Sequence, residues 1–253
     1  MSTPVILRQR DELSLRLTFN RVEARNSINQ ALLVALNEAL DEAEHSKETK
    51  VVVLSAHGDT FSAGMDFTEL MEMSAISALY FRTLQRLATF PKLVVSLVDG
   101  KVLAGGVGLV AASDLVLATP AATFSLPEIL WGLLPAMVLP FLARRVGMHE
   151  AYTLALTARQ LTAEQALALR LVDELGEDAE RALHRLLLRF KRIPAEGIHQ
   201  LKRYVNEAFP IDERVERLAV RTTSGLAQDP EVRRRIHDFL THQRLPWEGE
   251  VGR

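Results

Sequence analysis

The sequence predicts an α/β fold, with parallel strand pairing through its first half and helices through its second. Three observations predict it. Short aliphatic and β-branched runs alternate with segments of helical spacing up to about residue 118, and such alternation implies parallel strands joined by right-handed crossovers. Beyond residue 121 helical spacing dominates. Finally, 253 residues with 48% hydrophobic and 25% charged content can bury a sizeable core in one large domain, or in a core plus a helical appendage.

Each element follows from its local pattern. Residues 13–19 (LSLRLTF) alternate apolar and polar, as a half-buried strand does. After the turn-like stretch 20–27, Ala31, Leu32, Ala35, Leu36, Ala39 and Leu40 recur at helical spacing. Residues 51–54 (VVVL) suit a strand covered on both faces. AHGDTFSAGMD then reads as a Gly-containing loop, and about 68–87 as a helix. Residues 93–98 (LVVSLV) form another buried strand, which Asp99-Gly100 breaks; AGGVGLVAA opens a small-residue helix, and 115–118 (LVLA) is a fourth strand. Gly132 to Pro135 marks a turn, Thr162 with Glu164 and Gln165 reads as a capped helix start, and the tail after Pro246 reads as loose.

Composition removes several functions. Thirty Lys+Arg against 32 Asp+Glu give a net charge of -2, without the basic excess of a dedicated nucleic-acid binder. The absence of Cys removes disulfides, thiolate nucleophiles and Cys-ligated metal, and fits a reducing compartment. Charges interrupt the N-terminus before any long apolar stretch, and no apolar run approaches ~20 residues, so neither a signal peptide nor a membrane span is expected. The expected setting is cytoplasmic. The seven His lie outside HExxH or paired metal spacing and are read mostly as surface residues, and no metal site is expected; Ser-His-Asp catalysis lacks its G-x-S-x-G elbow.

Three segments offer chemistry. The first is Phe61-Ser62-Ala63-Gly64-Met65-Asp66, which follows a buried strand and precedes a helix, where open α/β sheets bind ligands. Its small residues let a backbone approach a substrate closely. Taken alone it also reads as a plain turn with an Asp cap. The second is Ala104-Gly105-Gly106-Val107-Gly108, where free N–H groups at a helix start attract negative charge, although close helix packing favours the same residues. It is neither the dinucleotide fingerprint nor a Walker loop. The third is Phe124-Ser125-Leu126-Pro127-Glu128-Ile129. There Glu128 stands among apolar neighbours, and burial would raise its pKa into the range of a proton shuttle. The alternative is a helix-start Glu favoured by the macrodipole.

Together, in this order and spacing, the segments resemble the crotonase (enoyl-CoA hydratase/isomerase) superfamily. The likeness spans Asn20-Arg21, Asn26-Ser27-Ile28, FSAGMDFTEL, VDGKVLAGGVGL, Ser113-Asp114-Leu115-Val116-Leu117-Ala118, FSLPEILWGLLP and RQLTAEQALALRLVDEL, the last with Arg170 where Gly is usual. The resemblance implies a ββα-unit spiral core over residues 1–192 and a C-terminal helical trimerisation region over 193–253, assembled as a homotrimer or dimer of trimers. It implies that the N–H groups of Met65 and Gly105 polarise a thioester carbonyl, with Ala63, Gly64, Asp66 and Gly106 lining the substrate. No cofactor is implied beyond the phosphopantetheine arm that carries the substrate.

The two-glutamate hydratases carry one Glu at the position of Gly108 and another at Glu128; only the second is present. One Glu can still take an α-proton and return it to another carbon, an isomerisation, or protonate a leaving hydroxyl, a syn dehydration. FSLPEILWGLLPAMVLPFLARRVG, GKVLAGGVGLVAASDLVLA and the final LPWEGE are similar to hydratase homologues of polyketide β-branching cassettes. That similarity implies dehydration of a 3-hydroxy-3-methylglutaryl thioester to 3-methylglutaconyl thioester on an acyl carrier protein. Enoyl-CoA hydration, Δ3-Δ2 isomerisation on CoA and a non-catalytic scaffold are the competing readings. Glu23, where many CoA-using relatives have Lys, disfavours the CoA phosphate. The basic residues from Arg181 to Arg203 offer a surface for an acidic carrier or a solvated helix face, and Arg82 and Lys101 are candidates for the substrate carboxylate.

Overall fold

The computed structural model describes residues 3–70 and 74–248. β1 (Ile6–Arg10) and β2 (Ser14–Phe19) form an antiparallel pair. The 3-10 turn Val22–Ala24 leads to α1 (Gln30–His45), whose cap Asn29 accepts from the Leu32 N–H. Next come β3 (Val51–Ala56), β4 (Thr60–Ser62), α2 (Phe67–Leu70) and α3 (Ser74–Thr89). β5 (Leu93–Val98), β6 (Lys101–Leu103) and α4 (Gly105–Ala112) repeat that order, and β7 (Leu115–Ala118) and β8 (Thr123–Ser125) lead to the 3-10 turn Glu128–Trp131. The rest comprises α5 (Leu139–Val146), α6 (Met148–Thr157), β9 (Leu161–Thr162), α7 (Ala163–Ala168), β10 (Glu174–Leu175), α8 (Ala179–Phe190), α9 (Ala195–Ala208), α10 (Glu213–Ala227) and α11 (Pro230–His242).

The strands form two sheets. A six-stranded sheet has the order β1-β2-β3-β5-β7-β10, parallel except for β1. A four-stranded sheet has the order β4-β6-β8-β9, parallel except for β9. From β3 to β8, successive turns of the spiral therefore place one strand in the large sheet, three residues in the small one, and then a helical segment. α4 is buried along its whole length between neighbouring elements, as suits a helix that is apolar and small all round.

The four strands read from the sequence appear with near-identical limits. The small sheet does not follow from local pattern. Thr60–Ser62 is a strand inside the stretch read as a loop, and β1, β6 and β8 were likewise unforeseen. β4, β6 and β8 have three residues each, too few to show a period, and β1, five residues mostly outside the core, pairs with β2; all exist because their neighbours supply hydrogen bonds. Helix occupies both ends of the expected stretch 68–87, of which 71–73 lie outside the described residues, as do 249–253 of the tail. The capped start at Thr162 is a full capping box with Gln165. Arg170 has a φ of +64°, a left-handed backbone that accounts for glycine being usual there.

Two polar devices hold the frame. Buried Asn26 accepts from the Arg21 N–H and donates to the carbonyls of His57 and Thr60, stapling the 20–28 loop to the start of β4. Asp114 accepts from the Val94 N–H at 2.7 Å and from Lys202 at 2.5 Å, tying α9 to the large sheet. Among the described residues no helix is long and apolar enough to cross a membrane.

Candidate active site

The three chemistry-bearing segments each follow the carboxyl end of a parallel strand in the small sheet: 63–66 after β4, 104–106 after β6, and 126–128 after β8. Ligands bind beyond such ends in open parallel sheets. Here the ends open onto a cavity of about 360 Å³, lined by Ala63, Met65, Asp66, Tyr80, Gly105 and Glu128 among others.

The first turn is threaded by backbone bonds. Ile28 N–H donates to the Gly64 carbonyl at 2.7 Å, Asp66 N–H to the Ile28 carbonyl at 2.9 Å, and Ala63 N–H to the Arg25 carbonyl at 3.0 Å. The Met65 N–H lies between these bonds and finds no acceptor among the described residues. In the second turn Ala104 donates to the Ser125 carbonyl at 2.9 Å with a φ of +49°, and the Gly105 N–H that opens α4 also lacks an acceptor among the described residues. An L-residue at positive φ is a strained choice, of the kind found beside functional sites. The two turns meet through glycine: a Cβ on Gly106 would fall 2.8 Å from the Ser62 carbonyl oxygen. Gly64 and Gly106 line this junction rather than the cavity wall.

Glu128 opens the 3-10 turn that Gly132 closes with a φ of +81°. Its Oε2 is buried and has no hydrogen-bond partner among the described residues. Burial pushes its carboxyl up from 4.5 to about 8, its own N–H offsetting only part of that. Glu128 does stand at a helix start, as the alternative reading has it, but burial outweighs the favourable backbone hydrogen bond there. Asp66 differs: burial alone would raise it, but hydrogen bonds from Thr68, Ser27 and Arg21 hold it below the usual carboxylate range. By accepting from the Thr68 N–H it also caps α2. It lines the cavity, and these bonds favour its charged form over proton donation.

Other walls come from places the sequence did not indicate. Phe67, Trp131 and Phe239 form an aromatic cluster, with Trp131 and Phe239 centroids 5.2 Å apart. Thr223 of α10 and Phe239 and Leu240 of α11 line the cavity, so the C-terminal helices cover the site of their own chain. Apolar spacing in α11 signals a buried face, not what it faces. Arg82 and Lys101 are engaged elsewhere: Arg82 pairs with Glu216 at 2.8 Å and Lys101 with Asp59 at 3.4 Å, and neither lines the cavity. Of the basic residues between 181 and 203, Arg185, Lys191, Lys202 and Arg203 pair with Glu174, Glu12, Asp114 and Glu207. All seven His are exposed, and among the described residues no group of three or more His, Asp or Glu could hold a metal.

The model of the enoyl-CoA hydratase/isomerase family matches residues 12–250. The chain belongs to this family. As a crotonase it is an enzyme of the hydratase class of hydro-lyases, a family that typically acts on acyl thioesters. It is 33% identical over 242 residues to the bacillaene synthase dehydratase PksH of Bacillus subtilis, covering 92% of this chain and 93% of PksH. The crystal structure of PksH, described as a polyketide biosynthesis enoyl-CoA hydratase, superposes with a TM-score of 0.90 at 30% identity, covering 97% of this chain and 100% of that one. A short-chain-enoyl-CoA hydratase of Clostridium acetobutylicum is 32% identical over 183 residues, 70% of each chain. The crotonase spiral, two sheets with C-terminal helices, is thus the fold of this chain.

Proposed function

We propose that this crotonase dehydrates a 3-hydroxy-3-methylglutaryl thioester to 3-methylglutaconyl thioester, carried on an acyl carrier protein, in polyketide β-branching. The observation that carries the reading is the desolvated carboxyl of Glu128, whose Oε2 has no hydrogen-bond partner among the described residues, in the same cavity as Met65 and Gly105, whose N–H groups lack acceptors among those residues. Similarity to the dehydratase PksH supports the direction of the reaction.

In this reading the thioester oxygen accepts from the Met65 and Gly105 N–H groups. The Glu128 carboxylate takes the proton from C2, and the electron pair moves onto that oxygen as an enolate. Glu128 then gives the same proton to the C3 hydroxyl, the C3–O bond breaks, and the enolate electrons form the C2=C3 bond as water leaves. The carboxylate is regenerated. A thioester α-carbon is a weak acid, so the amides matter: one such donor stabilises the transition state by ~2.7–4 kcal/mol. Ala63 and Gly106 keep the two turns slim enough for the carbonyl to enter. Exposed Met148, Tyr152 and Leu156, one helical turn apart on α6, support association with further copies of the chain.

Incubation with the loaded carrier should release one water per turnover, read by mass, and Glu128→Gln should keep carrier binding while losing turnover. No mass loss on a competent carrier overturns the proposal. Deuterium exchange on a 3-enoyl-CoA without water loss would move the reading to isomerisation.

A further inference from the structure

Position 108 lies within α4, where the helical backbone does not require glycine. Space does. A Cβ on Gly108 would fall 2.2 Å from the Tyr80 phenol oxygen, and 3.1 Å from side-chain carbons of both Leu84 and Val138. Tyr80 is fully buried on α3, lines the same cavity as Glu128, and donates its hydroxyl hydrogen to the Gly105 carbonyl at 2.5 Å. One phenol thus fills the room of a side chain at 108 and grips Gly105, which lines the cavity and whose own N–H lacks an acceptor among the described residues.

We propose that Tyr80 is a positioning and specificity residue: its ring excludes any second acid projecting from position 108, and its hydroxyl fixes the Gly105 peptide at the start of α4. The positioning half rests on the proposed role of the Gly105 N–H. The excluded acid would have stood near Glu128, and a pair of carboxylates there would hold and activate water for addition to a double bond. With a neutral phenol instead, Glu128 carries every proton at this point of the cavity, for loss of a hydroxyl and for its reverse alike. The phenol also spares a substrate bearing its own carboxylate a further acidic group at position 108, beyond Asp66 and Glu128 on the cavity wall.

Two variants and their combination test both halves. Thermal unfolding needs no substrate: Gly108→Ala should lower Tm by several degrees through overpacking, and the double variant with Tyr80→Phe should recover most of that loss. Additive losses would overturn the exclusion. In kinetics with the loaded carrier, Tyr80→Phe should lower kcat about tenfold, the scale of one lost hydrogen bond, with KM within about twofold and Tm near wild type. Tyr80→Leu should lower both kcat and Tm. An unchanged kcat in Tyr80→Phe would overturn the positioning role while the proposed dehydration stands. Wild-type protein that releases no water, yet shows the thermal coupling, would overturn the dehydration and the positioning role and leave the exclusion intact.

Discussion

Gly64 and Ala104 stand backbone against backbone: a Cβ at position 64 would fall 2.6 Å from the Ala104 Cβ and 3.1 Å from the Gly105 nitrogen. This contact sets the spacing of the turns that present the Met65 and Gly105 amides. Position 64 also has a φ of +88°, so glycine is required twice over. Gly64→Ala should part the turns and lower kcat by ~10²–10³, as loss of an oxyanion donor does. A variant that remains folded by circular dichroism with wild-type kcat would refute the account.

Glu128 links pH to both activity and stability. Its folded-state pKa of about 8 lies above the ordinary 4.5, so the native state holds a proton that the unfolded chain has lost. The resulting stability is full below 4.5 and disappears as pH rises to about 8, a change on the order of a few kcal/mol. Glu128→Gln has no such ionisation. Its Tm should exceed that of wild type most above pH 8 and least in acid, measured by calorimetry across the range. Because the carboxylate is the base, wild-type kcat/KM should rise with pH, reaching half its limit near pH 8 and levelling off about one unit above.

Lys202 is the partner of a largely buried carboxylate. Burial raises the pKa of Asp114 and Lys202 pulls it back, while burial lowers that of Lys202 itself. Lys202→Met leaves Asp114 without its counter-charge and should cost about 3–5 kcal/mol at neutral pH. In that variant the folded-state pKa of Asp114 rises further above its unfolded value, so stability falls as pH rises and the deficit should shrink in acid. Urea unfolding at two pH values measures this, and an equal deficit at both would contradict it.

Arg170 holds its left-handed backbone without a hydrogen bond or ion pair from its side chain among the described residues. Arg170→Gly relieves that strain, partly offset by greater freedom of the unfolded chain. The expected gain is up to about 1 kcal/mol, or ~2–4 °C in Tm for a chain of this size. A lower Tm would show that Arg170 contributes contacts that outweigh its strain.

Hydropathy spacing by itself determined the strands at 13–19, 51–54, 93–98 and 115–118 and the helices between them, because a side chain's covered face is written into its immediate neighbours. It also exposed three suspicious stretches: two glycine turns and a carboxylate among apolar residues. Tertiary structure alone decided that they meet. The meeting depends on β4, β6 and β8, three residues each, whose hydrogen bonds come from partners some 20 to 40 positions away and leave no local period. The raised pKa of Glu128 likewise comes from desolvation by walls drawn from separate elements, including α10 and α11 at the far end of the chain. The sequence marked Gly108 as a departure, but the reason a side chain has no room there was not legible in it, since the phenol that occupies the space belongs to a different helix.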